Sequence, residues 1–225
     1  MNDFTPVLLI AGKDIRQELR SRAITVATLF FAAITLVILA FAVGSDEAIL
    51  TQIAPGALWV ALAFAGVISA AQSYAAEGEE NAFEQLLLYP IPRASIYLGK
   101  LISNWVYMGF LALILLPTTA VLFDLPLGSH RGALLLTLAL GTLGFALIAT
   151  FYAALTANLR ARDSLLPVLM FPVVVPILLA AVRATTSLMQ FGNLEMASDW
   201  IQLLAGFDLA YLVVCTAIFR FVVDE

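Results

Sequence analysis

Six apolar runs, at about 23–43, 53–75, 99–123, 132–157, 164–186 and 201–222, take up most of this chain. Each is long enough to cross a hydrocarbon core of ~30 Å, which about 20 helical residues span. An unpaired backbone group in lipid costs several kcal/mol, and none of these runs alternates as a barrel strand does. They are therefore read as helices. The fold class expected is an all-α integral membrane protein, six transmembrane helices forming one membrane domain over residues 1–225. With 62% hydrophobic and 12% charged residues a soluble domain is excluded, and a net charge of −5 argues against nucleic acid as a partner. Ala40-Phe41-Ala42 outlines a signal-peptidase site. The apolar run before it exceeds the roughly 7–15 residues of a signal h-region, so the first span is retained. Cys215 lies alone in an apolar run and can found no disulfide framework.

Lysine and arginine set the orientation. With the N-terminus inside, the cytoplasmic segments hold Lys13, Arg16, Arg20, Arg22, Arg93, Lys100, Arg160, Arg162 and Arg220, against Arg131 and Arg183 outside. Nine against two places both termini in the cytoplasm. Trp59 and Trp200 then fall near the outer interface and Tyr74, Tyr97 and Trp105 near the inner one, as an aromatic belt would. Ahead of the first span, Thr5-Pro6 can start a helix. Leu8, Ala11, Ile15 and Leu19 recur on one side of it, with Lys13, Arg16, Arg20 and Arg22 on and around the other. The pattern is that of an interfacial helix, an ordinary basic flank being the alternative.

Small residues recur every fourth position in the second span (Ala57, Ala61, Ala65, Ser69, Ser73) and in the fourth (Ala146, Thr150, Ala154; Ala149, Ala153, Ala157). Such stripes let helices approach closely where water supplies no driving force. In the fifth span Pro172 and Pro176 each remove an intrahelical bond, so a bend or break is expected there, while Pro167 can sit in the opening turn.

The longest polar stretch is 76–100, AEGEENAFEQLLLYPIPRASIYLGK, between the second and third spans. Glu77, Glu79, Glu80 and Glu84 precede a stop at Pro90 and Pro92, and Phe83, Leu86 and Leu87 share one helical face. The face has no obvious cover within the chain. Headgroups or the groove of a soluble partner are its candidate covers.

Catalytic chemistry is not legible. His130 is the one histidine, no nucleophile–base set or metal-ligand spacing exists, and neither Gly12-Lys13 nor Gly99-Lys100 completes a P-loop. The chain is expected to be no enzyme, to bind no metal and to draw any energy from a partner. Asp208 is the one carboxylate well inside a span, where an uncompensated charge costs about 2.5–3.5 kcal/mol. Arg183, near the outer end of the fifth span, can snorkel toward it, giving an intramembrane ion pair; a neutral acid is the alternative. Residues 187–200 mix Phe191, Leu194, Met196 and Trp200 with Glu195 and Asp199. They read either as a short outer amphipathic helix contacting a periplasmic partner or as a re-entrant plug.

The order of these features resembles the ABC-2 class of ABC-transporter permeases, and more narrowly the haem exporter protein B (CcmB) family of bacterial cytochrome c maturation. Carrying the resemblance are Pro55-Gly56-Ala57-Leu58-Trp59-Val60, Ala75-Ala76-Glu77 through Glu84-Gln85-Leu86-Leu87-Leu88 with Pro90, Gly99-Lys100-Leu101 and Leu140-Gly141-Thr142-Leu143-Gly144-Phe145. Asn158-Leu159-Arg160-Ala161-Arg162, Leu165-Leu166-Pro167 to Pro176 and Phe207-Asp208 complete it. Gly78 and Tyr89 depart from the family pattern.

The resemblance implies a permease subunit of the bacterial inner membrane, in two copies. Its partners would be a cytoplasmic ABC ATPase, haem-handling membrane subunits and, indirectly, a periplasmic haem chaperone. It also implies that 76–100 holds a coupling helix on which Glu77, Glu79, Phe83, Glu84, Leu86 and Leu87 meet the ATPase. Haem would be cargo rather than a bound cofactor, and ATP would sit on the partner. An ABC-2 permease for another lipophilic substrate and a scaffold without an ATPase are the alternatives.

Overall fold

The computed structural model describes residues 4–44, 46–79, 91–125, 130–157 and 162–223. Seven helices and no strand appear among them: α1 (Phe4–Ser21), α2 (Ala23–Val43), α3 (Glu47–Glu79), α4 (Arg93–Leu122), α5 (Arg131–Thr156), α6 (Arg162–Met189) and α7 (Leu194–Val223). All but α1 are long and apolar enough to cross a membrane, which makes the chain a multi-pass membrane protein.

α3 and α5 form the centre. α3 touches α2, α4, α5 and α6, and α5 touches α3, α4, α6 and α7. Their stripes of small residues are the reason: Ala57, Ala61, Ala65 and Ser69 are buried on α3, and Ala146, Ala149, Thr150 and Ala153 on α5. Where α3 meets α5, a Cβ at Gly141 would run into the Trp59 indole, and one at Gly66 would stand 2.5 Å from Phe145 Cε1. Polar ties join the same helices. Trp59 Nε1 donates to Thr185 Oγ1 on α6 (2.9 Å), Asn104 Nδ2 to Thr150 Oγ1 (2.9 Å) and Tyr97 Oη to the Leu147 carbonyl (2.9 Å). Trp59 and Tyr97 are thus core residues, not members of an interfacial belt. Each ring nitrogen or hydroxyl found a partner inside the bundle, so burial leaves no donor orphaned.

Several helix ends run beyond the limits that hydropathy suggests. α3 starts at Glu47, not near 53, because Asp46 caps it: Asp46 Oδ1 accepts the Ala48 and Ile49 N–H groups at 3.1 and 3.3 Å. Pro55 then lies inside the helix and offers no N–H to the Thr51 carbonyl. The Gln190 amide takes its place, donating to that carbonyl at 2.6 Å and to the Gln52 carbonyl at 3.2 Å. α6 runs unbroken through Pro167, Pro172 and Pro176 to Met189. The Tyr211 hydroxyl donates to its Val173 carbonyl, one turn before Pro176 (3.3 Å).

Residues 187–200 are therefore neither a separate helix nor a plug. They comprise the end of α6, a turn with Gly192 at φ +59°, and the start of α7, where Asn193 Oδ1 accepts the Met196 N–H at 3.0 Å.

α1 packs on α4 through Val7, Ile10 and Ala11, which are buried, whereas Leu8 and Leu19 of the expected apolar face are exposed. Gly99 makes the seat. A Cβ there would stand 2.8 Å from Ile10 Cβ and 3.0 Å from the Val7 carbonyl oxygen. α1 turns into α2 at Arg22, a non-glycine residue at φ 54°, a conformation that costs about 1–2 kcal/mol. Glu18 Oε1 holds the elbow by accepting the Thr25 N–H (2.8 Å) and hydroxyl (2.5 Å), an N-terminal cap supplied from the preceding helix.

Candidate functional site

α3 and α4 flank residues 80–90, and the buried ends of these two helices are tied together at one point. Lys100 is 0% exposed. Its ammonium donates to the Ser73 carbonyl (3.2 Å) and Ser73 Oγ (3.4 Å) on α3 and pairs with Asp14 Oδ2 (3.4 Å) on α1. Ser103, one turn further along α4, donates to the same Asp14 oxygen at 3.4 Å and to the Lys100 carbonyl at 2.8 Å. Lys13 approaches the other Asp14 oxygen, 3.3 Å away. Three helices thus share one charge pair on the side of the bundle where the 80–90 segment connects them. A full charge is tolerated there because Asp14 and several oxygens replace its hydration shell.

Sequence reasoning counted Lys100 as a flanking charge and passed over Asp14. The signal was present. Asp14 and Glu18 interrupt a helix otherwise rich in basic residues, and Gly99 beside Lys100 marks a close helix approach.

Beside this junction lies a partly open cavity of about 610 Å³ between α1, α2, α3 and α4. Asp14, Glu18, Gln72 and Asn104 face it from the polar side and Ile15, Val106 and Phe110 from the apolar side. Thr28 and Tyr107 hydrogen-bond through their hydroxyls, joining α2 to α4 at the same level.

Of the expected coupling residues, Phe83, Glu84, Leu86 and Leu87 lie outside the described residues. Glu77 and Glu79 belong to the end of α3, which stays helical through Gly78, rather than to a separate loop helix. The expected pair of Arg183 and Asp208 does not form. Arg183 is exposed on α6, whereas Asp208 is buried with its carboxylate turned to Gly144 of α5, and among the described residues nothing hydrogen-bonds either oxygen. The two side chains point in different directions around their helices. Around the turn between α6 and α7, Phe191, Leu194 and Met196 are exposed, and Trp200 is half-buried against the core. His130 occupies the N-cap position of α5 without a side-chain capping bond.

The sequence model of the family described as CcmB protein matches residues 5–223, nearly the whole chain. The chain belongs to the CcmB family. Among CcmB-family relatives, the Heme exporter protein B of Pseudomonas aeruginosa is 30% identical over 182 residues, covering 81% of each chain. That of Rhodobacter capsulatus is 31% identical over 170 residues, 76% of this chain and 78% of its own. That of Haemophilus influenzae is 30% identical over 174 residues, 77% and 78% respectively. The matched region takes in α1 with its Asp14, so the junction around Lys100 lies within the part of the chain that defines CcmB-family membership.

Proposed function

We propose that this chain is the permease subunit of an ABC transporter complex in c-type cytochrome biogenesis. In this reading it converts ATP hydrolysis by a cytoplasmic partner ATPase into haem delivery or release of a haem-loaded periplasmic chaperone. Membership of the CcmB family, whose relatives carry the name Heme exporter protein B, supports the haem assignment. The observation that supports coupling is the Lys100–Asp14 junction. Residues 80–90 connect α3 to α4, and both are tied to α1 by that one buried pair. A displacement of the segment by a docked ATPase would reach three helices together instead of being absorbed in a loop. The distribution of lysine and arginine supports a cytoplasmic location for the segment and both termini of a bacterial inner-membrane protein. Haem-handling membrane subunits and a second copy of the chain complete the proposed assembly, with haem as cargo and ATP on the ATPase.

Phe83 and Leu87 supply the apolar anchorage to the ATPase, with Glu77 and Glu84 pairing with its basic residues. An interface anchor costs about 2 kcal/mol or more when truncated, so Phe83→Ala with Leu87→Ala should weaken ATPase binding at least tenfold. Co-purification in mild detergent and holocytochrome c yield are the measurements. Undiminished ATPase recovery with the double variant would remove the docking assignment.

A further inference from the structure

We propose that the cavity at the α1–α2 elbow binds a zwitterionic phospholipid bearing a primary ammonium, drawn from the leaflet on the α1 side. The inference does not depend on the transport reading above.

The mouth of the cavity indicates what enters it. Leu19, Val106 and Phe110 are among its lining residues and are 67%, 48% and 49% exposed. Val106 and Phe110 stand on the outer face of a membrane-crossing helix, so the opening meets acyl chains rather than water. The cavity lies where amphipathic α1 passes into the first span, at the level where a lipid's headgroup joins its chains. About 610 Å³ is within the range of small-molecule sites and suits a headgroup with the upper part of one chain, the rest lying along the apolar rim.

The polar wall selects the headgroup. Asp14 is already engaged by Lys13, Lys100 and Ser103. Glu18 uses Oε1 to hold Thr25, but its Oε2 is buried and among the described residues has no hydrogen-bond partner. A buried carboxylate oxygen calls for a donor, and a cationic donor satisfies it best. Arg22, four residues on and also in the lining, offers an exposed guanidinium suited to a phosphate. Carboxylate beside guanidinium matches ammonium beside phosphate. A headgroup that is only anionic would leave Glu18 unsatisfied and face two carboxylates. A quaternary ammonium carries charge but no N–H to donate.

The test uses the full-length chain in nanodiscs of equimolar phosphatidylethanolamine, phosphatidylcholine and phosphatidylglycerol, with retained lipid read by native mass spectrometry. Phosphatidylethanolamine should be retained about tenfold over either competitor, the ratio one charge-assisted hydrogen bond supports. Glu18→Gln keeps the oxygen that caps Thr25 and should bring retention of the three lipids level. Gln72→Trp, placed at an exposed lining position, should lower retention of all three and guards against a folding defect in the first variant. No preference in the unaltered chain, or a preference that survives both substitutions, would overturn the proposal. Displacement by an excess of soluble phosphoethanolamine would reassign the site to a free headgroup-like ligand and overturn the lipid assignment.

Discussion

A lysine without solvent access is costly unless its charge is answered. Lys100 is held by Asp14 and the Ser73 oxygens, and removing one member of a buried pair typically costs about 3–5 kcal/mol because the other charge is stranded. Lys100→Met should therefore lower the temperature at which the detergent-solubilised protein loses its monodisperse peak. Adding Asp14→Leu should recover most of the loss, since two apolar residues in place of a buried pair can be nearly neutral. Loss of equal size in single and double variants would mean that packing, not charge, is the cause. Asp208 behaves differently. Its carboxylate faces Gly144 while Arg183 is exposed, so there is no pair to break. Arg183→Leu should change stability by no more than about 0.5 kcal/mol, and its effect should add to that of Asp208→Asn. A coupling of about 1 kcal/mol or more in the double-mutant cycle would reinstate the pair. Hydropathy and spacing do not report the azimuth of a side chain, and azimuth separates the two residues.

At the level of the helices, one proline is answered by a borrowed donor. Pro55 leaves the Thr51 carbonyl without its helical N–H, and the Gln190 amide replaces it from the turn between α6 and α7. Gln190→Ala should cost about 1 kcal/mol, the net contribution of a typical hydrogen bond, because the acceptor is only partly buried. In a Pro55→Ala background, where the helix supplies its own N–H, the same change should cost little. Thermal unfolding of the four variants measures the difference, and equal costs in both backgrounds would show that the amide contributes nothing. The length of each apolar run made the six spans readable. The first, Ala23–Val43, matches its expected limits. α3 and α7 begin earlier than expected because Asp46 and Asn193 cap polar first turns that a hydropathy window counts as loop. On α1, Ala11 of the expected apolar stripe is buried while Leu8 and Leu19 are exposed, and Val7 and Ile10, which the stripe does not include, join Ala11 at the seat on Gly99.

Across the whole bundle, the stripes of small residues mark the central helices in the sequence itself, because close approach in lipid demands them. The junction was not legible in the same way, since it pairs residues 86 apart in sequence across helices whose packing hydropathy does not encode. That separation has a consequence in time. The chain is made from its N-terminus, and at 5–20 residues per second Asp14 leaves the ribosome roughly 4–17 s before its partner. During that interval α1 has no Gly99 to sit on. Its exposed leucines and basic flank suit the membrane surface, which makes the interface a waiting place for α1 and the bundle its destination. Closure of the junction then waits for the third of the six spans to be delivered into the bilayer.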